Sequence, residues 1–177
     1  MGHCTWKYRK INGPYLFLPM DFRIGFGYDV HRLENGRLLV IGGLAIPHPK
    51  GGQGHSDADV LIHALIDALL GAAGLRDIGY QFPNTDPSLK NMDSKILLQK
   101  TMELIKGEGF SVGNADMTIC IEQPKIAPHI PEMQKVLSDI LGVETGLVSI
   151  KATTEEGVGF TGRQEGMKAY AVVLLKK

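Results

Sequence analysis

Cysteine is nearly absent from the chain: two residues in 177, Cys4 and Cys120, far apart and in no C-x-x-C pair. That spacing gives neither a disulfide framework nor a structural zinc knuckle, and a reducing compartment suits it. An excess of charge of one sign is missing too, since Lys plus Arg and Asp plus Glu are each 19 and the net charge is zero. A nucleic-acid partner usually calls for a basic excess or stripe, so none is expected, and any anionic ligand must be met by local devices. No apolar run is long enough to span a bilayer: the most apolar window, Val60 to Leu75, is short and contains His63 and Asp67. No membrane association is expected. No long apolar run follows the basic residues near Arg9 as a signal peptide would require, and the expected address is the cytoplasm. Internal repeats and low-complexity tracts are lacking as well.

What is present is an ordinary globular composition, 44% hydrophobic and 21% charged, in a chain long enough to bury a real core. The first 20 residues differ from the rest. They show no period and hold Trp6, the one tryptophan. They read as a tag or leader, with Met20 the natural initiator, and residues 21–177 as a single domain. Alternation predicts strands over 22–31, 37–41, 112–122, 147–153 and 168–175. A helix is expected over about 57–73, capped by Ser56 and apolar nearly all round, hence buried. A second is expected over 93–106, and a third opens near Pro131 and ends at Gly142. The fold class is α/β in the α+β two-layer sense: a mixed β-sheet with helices packed on one face.

Five stretches carry candidate chemistry. Asp29 and His31 stand two apart on a strand, so their side chains share a face and can converge on one cation. Carboxylate with imidazole suits zinc or a similar transition metal. A third ligand must come from elsewhere, with His55 and His63 both available. His63 lies within the apolar helix, four residues from both Asp59 and Asp67, and a carboxylate behind a ligating histidine is common. His55-Ser56 sits where a glycine-rich loop meets a helix start, a place that favours anions. The segment from Lys151 to Arg163 turns from strand to a polar, glycine-rich loop whose hydroxyls, amides and arginine suit phosphate oxygens. Within it Glu156 could hold a hard divalent cation. Finally, the proline-stiffened loop from Gln123 to Pro131 has the character of a binding surface.

Together these segments resemble one family, the 2-C-methyl-D-erythritol 2,4-cyclodiphosphate synthases. The resemblance rests on Ile24-Gly25-Phe26-Gly27-Tyr28-Asp29-Val30-His31, then His55-Ser56-Asp57-Ala58-Asp59-Val60 with His63-Ala64 and Asp67 to Ala72. It continues through Asp77-Ile78-Gly79, Phe82 to Pro87, Pro124-Lys125, Pro128 to Pro131 and the Lys151-to-Arg163 segment. It covers residues 23 to 177.

The resemblance implies a homotrimer with active sites between adjacent subunits. The substrate it implies is 4-diphosphocytidyl-2-C-methyl-D-erythritol 2-phosphate, whose 2-phosphate attacks its own β-phosphorus to give the cyclic diphosphate and CMP. It implies zinc on Asp29, His31 and His63, one ion per subunit, and a second divalent ion, magnesium or manganese, on Glu156. His55 and Thr154 would act catalytically beside the reacting phosphates. Ser56, Asp77 and the loop Phe82, Pro83, Asn84, Thr85, Asp86 would hold the methylerythritol part, and Ile78 and Gly79 would also touch the substrate. Ile121, Pro124, Lys125, Ile126, Ala127, Thr153 and Thr154 would hold the cytidine end. Phe160 and Arg163 would face the phosphates or the trimer axis, where a central cavity could take an isoprenoid diphosphate. This chain departs from the family pattern at Asn84, where a second Asp is frequent, and at Glu155, which interrupts a run of threonines. A metal-dependent phosphohydrolase and a non-catalytic binder of isoprenoid diphosphates are the competing readings.

Overall fold

A computed structural model describes residues 21–83, 85–89 and 92–177. The expected leader, residues 1–20, and Asn84 lie outside the described residues.

A five-stranded sheet forms the platform, in the order β4-β1-β7-β5-β6. Strand β1 is Phe22–Asn35 and pairs antiparallel with the last strand, β7, Gly166–Lys176. Strand β7 pairs antiparallel with β5, Ser111–Cys120, and β5 runs parallel to β6, Val148–Thr153. The sheet is therefore mixed, as expected. Strand β4, Lys50–Gly52, extends the far edge of β1, while β2, Leu39–Ile41, and β3, Leu44–Ile46, form a separate hairpin. The strand expected over 37–41 starts two residues later, at Leu39, and ends as expected where Gly42 and Gly43 turn the chain directly into β3 with φ of 60° and 79°.

Three long helices supply the second layer: α1 Val60–Ala73, α3 Ser94–Gly107 and α4 Ile130–Leu141. The short α2, Ile78–Gln81, and α5, Gly159–Gly162, lie in stretches expected to be loop. Strand alternation explains the layering. Met167, Ala169, Ala171, Val173 and Leu175 of β7 are all buried towards the helices, where they join Met117 and Ile119 of β5. Helix α1 is buried on nearly every side, as its composition required.

Two glycines set how close that helix sits. A Cβ on Gly25 would lie 1.8 Å from the carbonyl oxygen of Ala68, and one on Gly27 would lie 1.9 Å from that of Ala64. Strand and helix backbones therefore touch, with alanines opposite glycines, and the first turns of α1 hang directly over the middle of β1.

The start of α1 is a correction. Its N-cap is Asp59, not Ser56, and the helix begins at Val60 rather than Asp57. The fully buried Asp59 carboxylate accepts hydrogen bonds from the amides of Leu61, Ile62, Gly42 and Gly43 at 2.7–3.1 Å. Asp59 thus ties the β2–β3 turn to the helix start. The amides that an anion at His55-Ser56 would have needed are already in use.

Among the described residues, the other face of the sheet carries no helix. On β1, Ile24 is 76% exposed and Phe26 64%, with Phe22, Tyr28 and Val30 also exposed beside Val172 of β7.

Candidate metal centre and substrate clefts

Strand β1 and helix α1 bring three ligand atoms to one point. Asp29 Oδ2 lies 3.0 Å from His31 Nε2 and 3.0 Å from His63 Nδ1, and the two ring nitrogens are 3.1 Å apart. The pairing arises from secondary structure alone. Asp29 and His31 share the helix-side face of β1, while His63, at the fourth position of α1, overhangs them because Gly25 and Gly27 let the helix down. His63 therefore joins the Asp29–His31 pair, and His55 does not.

The triangle fits a metal on its donor set and on its size. In a tetrahedral zinc site with bonds near 2.0–2.1 Å, neighbouring donors stand about 3.3–3.4 Å apart. The observed edges need open by only a few tenths of an ångström. His31 is oriented as a ligand should be. Its Nδ1 lies 3.0 Å from the Gln53 carbonyl oxygen, which only accepts, so Nδ1 carries a proton and Nε2 is the nitrogen that would present a lone pair to a bound metal. Burial works against the Asp29 carboxylate, but hydrogen bonds from His31 and His63 outweigh it and hold its pKa down to about 2. Burial lowers the His31 pKa, yet the hydrogen bond and charge of Asp29 outweigh that and leave it raised.

The support behind His63 differs from expectation. Asp59 and Asp67 do not touch its ring: Asp59 caps the helix, and Asp67 accepts from the amide of Ile78 at 2.8 Å. Behind Nε2 stand two hydroxyls instead, Ser94 Oγ at 2.9 Å and Ser56 Oγ at 3.2 Å. Ser94 in turn donates to the Asp57 carboxylate. Sequence reasoning missed Ser94 because it lies 31 residues from the histidine, and Asp57 because it acts through Ser94, 37 residues away. The one available signal was Asp93-Ser94 opening the second helix.

The triangle forms the floor of a cleft of about 490 Å³. Of the expected substrate-binding residues, His55, Ser56, Ile78, Gly79, Phe82, Thr85 and Asp86 line it, and Gln53, Gly54, Pro87, Leu89 and Leu97 join them. Asp77 and Pro83 are not in its lining. Asp77 caps α2, accepting from the amide of Tyr80 at 2.9 Å, so it shapes the wall without facing the cleft.

A second cleft lies at the carboxyl ends of β5 and β6. Ile121, Pro124, Lys125, Ile126, Ala127, Thr153 and Thr154 line it together with Glu122 and Ala152, so the residues expected at the cytidine end do assemble. Thr154 Oγ1 donates to Glu156 Oε1 at 3.0 Å, which places the expected second cation ligand beside this cleft. Glu155 turns away from it to Lys168 Nζ, 2.5 Å off. Neither cleft contains a residue of the other. Phe160 lines a third recess with Val30, Arg32 and Glu165, whereas Arg163 does not; it pairs with Glu165 at 2.8 Å.

The YgbB family model matches residues 22–176. The chain belongs to the YgbB family. Among YgbB relatives, the 2-C-methyl-D-erythritol 2,4-cyclodiphosphate synthase of Porphyromonas gingivalis is 62% identical over 154 residues, covering 87% of this chain and 95% of its own length. A solved 2C-methyl-D-erythritol-2,4-cyclodiphosphate synthase superposes with a TM-score of 0.81 at 40% identity, over 86% of this chain and 99% of its own. IspF of Plasmodium falciparum, solved as a CDP complex, superposes at 0.76 with 31% identity, over 87% of this chain and 95% of its own. No helix among the described residues is long and apolar enough to cross a membrane.

Proposed function

We propose that this chain is a lyase of isoprenoid biosynthesis by the non-mevalonate route. It converts 4-diphosphocytidyl-2-C-methyl-D-erythritol 2-phosphate to the 2,4-cyclodiphosphate and CMP. The observation that carries the reading is the Asp29–His31–His63 triangle at the floor of a cleft, in a chain so similar to synthases along its whole domain.

The chemistry asks little of the protein in proton transfer. The nucleophile is a phosphate already ionised at neutral pH, and it belongs to the same molecule as its target. Holding the substrate folded therefore supplies most of the advantage. Ser56, Ile78, Gly79, Phe82, Thr85 and Asp86 would grip the methylerythritol part. Lys125, Ile126, Ala127 and Thr153 would hold the nucleotide. His55, exposed at the rim of the first cleft, and Thr154, at the second, would donate hydrogen bonds to the transferring phosphoryl oxygens. When bound, zinc on the triangle and magnesium or manganese on Glu156 would supply Lewis-acid stabilisation of charge on the diphosphate.

One substrate must touch both clefts, yet they are separate within one chain. We therefore propose that the active site closes between subunits of a homotrimer, with the uncovered apolar face of β1 and β7 as the assembly surface. Phe160 and Arg163 would then border the assembly axis, where an isoprenoid diphosphate could sit. The expected setting is the cytoplasm.

Phosphorus NMR of the purified protein with the cytidyl substrate, zinc and magnesium tests the reading. Cyclic diphosphate plus CMP is the expected result. Linear phosphate products would make the protein a hydrolase, and tight ligand binding without turnover would make it a binder.

A further inference from the structure

We infer that Asp57 and Ser94 are positioning residues that fix which nitrogen of His63 carries its proton, and so make Nδ1 the metal ligand. The inference rests on the metal reading above.

Asp57 approaches Ser94 with both carboxylate oxygens: Oδ2 accepts from the Ser94 amide at 3.0 Å, and Oδ1 accepts from the Ser94 hydroxyl. An ionised carboxylate has no proton to give, so the Ser94 hydroxyl must direct its own there. Only lone pairs of Ser94 Oγ then face His63 Nε2, 2.9 Å away. A bare Nε2 would set lone pair against lone pair; Nε2 must therefore carry the hydrogen. When a metal is bound, the lone pair that His63 offers it is therefore on Nδ1, which points to Asp29 Oδ2 and His31 Nε2. Ser94 is fully buried and His63 nearly so, which keeps water from substituting for the serine. Ser56 Oγ, at 3.2 Å from the same nitrogen, accepts from the amide of Ala58 and is the weaker partner. Elements far apart in sequence thus converge on one ring: the loop before α1, α1 itself and the first turn of α3. His31 is set by the Gln53 carbonyl in the same way, but through its other nitrogen.

Asp57→Asn is the informative variant. The Ser94 amide can only donate, so the new side chain must turn its oxygen to it and its NH2 group to the Ser94 hydroxyl. That hydroxyl then accepts from the asparagine and directs its proton at His63 Nε2, which favours the wrong tautomer. Zinc affinity measured by competition with a chromogenic chelator should fall about 10–100-fold in Asp57→Asn and in Ser94→Ala, the range expected of an outer-shell partner. Ser94→Thr, which keeps the hydroxyl, should stay close to the parent. Nitrogen-15 histidine spectra of the zinc-loaded parent should show His63 with its proton on Nε2. Thermal melts of the metal-free variants identify any general loss of fold, a loss that Ser94→Thr controls for. Unchanged affinity in both Asp57→Asn and Ser94→Ala, a His63 protonated on Nδ1, or a parent that binds no zinc would overturn the inference. A parent that binds zinc through this relay yet makes no cyclic product would leave the inference standing and remove the proposed reaction.

Discussion

The two clefts are built on opposite principles. The first rests on backbone contact between β1 and α1, its ligand atoms lie within 3.1 Å of one another, and hydrogen bonds to Gln53, Ser94 and Ser56 hold its imidazoles. The second is a loop surface at the ends of two parallel strands, where the Thr153 and Thr154 hydroxyls bond within the loop itself, to the Thr154 carbonyl and the Glu156 carboxylate. The first is pre-organised within one chain, as a site that must impose geometry on a metal needs to be. The second offers side chains that gain their purpose only when something covers them.

The largest effect should come from His63→Ala, which removes a corner of the triangle. Zinc affinity should fall by more than the roughly 100-fold ceiling for losing an outer-shell partner, and cyclic product should vanish from the phosphorus spectrum. CDP affinity, read by calorimetry, should fall little, because the second cleft contains no part of the triangle. A parallel collapse of CDP binding would show that the clefts are one unit.

Gly27→Ala should be next. The added methyl would lie 1.9 Å from the Ala64 carbonyl oxygen, so strand and helix must part. Overpacking of this kind costs about 1–3 kcal/mol, and rigid backbone on both sides puts this case at the upper end. Since His63 is the neighbour of Ala64, zinc affinity should fall with stability. Chemical denaturation and chelator competition on one preparation measure both. An unchanged triangle in a destabilised protein would mean that α1 tilts about the Asp59 cap rather than lifting.

Acid should act on the first cleft as well. The Asp29 carboxylate is held at about 2 against an ordinary 3.8. A carboxylate with a lowered pKa in the folded state stabilises above its unfolded value and loses that contribution as pH falls. In metal-free protein the contribution is about 2 kcal/mol, complete above pH 4 and lost between about pH 4 and 2. Urea unfolding across that window, in parent and Asp29→Asn, should show a pH-dependent difference that closes at the acid end. A constant difference would mean that His31 and His63 do not bond to Asp29 in the metal-free fold.

How far the sequence alone reached follows the same division. Asp29 and His31 were legible as a pair because strand periodicity places residues two apart on one face. His63 was only one of two candidates, since which histidine overhangs β1 depends on the glycine–alanine contact, a tertiary fact. The long helices and central strands followed from apolar periodicity. The start of α1 did not: Ser56 and Asp59 are both good caps, and the choice fell to Asp59 because two turn amides from Gly42 and Gly43 arrive from elsewhere in the chain. For the same reason the carboxylates spaced four from His63 proved to serve backbone amides, while the group that supports its ring came from α3. Local pattern tells which side chains share a face; it cannot tell which distant backbone donor will claim them.

The smallest effect should come from Glu155→Thr, which restores the threonine run seen in the family. Glu155 reaches away from the nucleotide cleft to Lys168 Nζ, whose ammonium also lies 5.6 Å from the Phe160 ring centre. The Glu155 amide meanwhile donates to Glu122 Oε2 at 3.3 Å, a bond the substitution leaves in place. The change therefore removes an ion pair at the back of the loop and nothing at its front. A partly exposed pair contributes about 0–1 kcal/mol, equivalent to no more than about fivefold in affinity. Calorimetric titration with CDP should stay within that range for Glu155→Thr, and Lys168→Ala should match it. A much larger gain in affinity would place the Glu155 carboxylate against the bound nucleotide. A large loss shared by both variants would show instead that the Lys168 ion pair pre-organises Thr154 and Glu156, giving the second cleft the same kind of built support as the first.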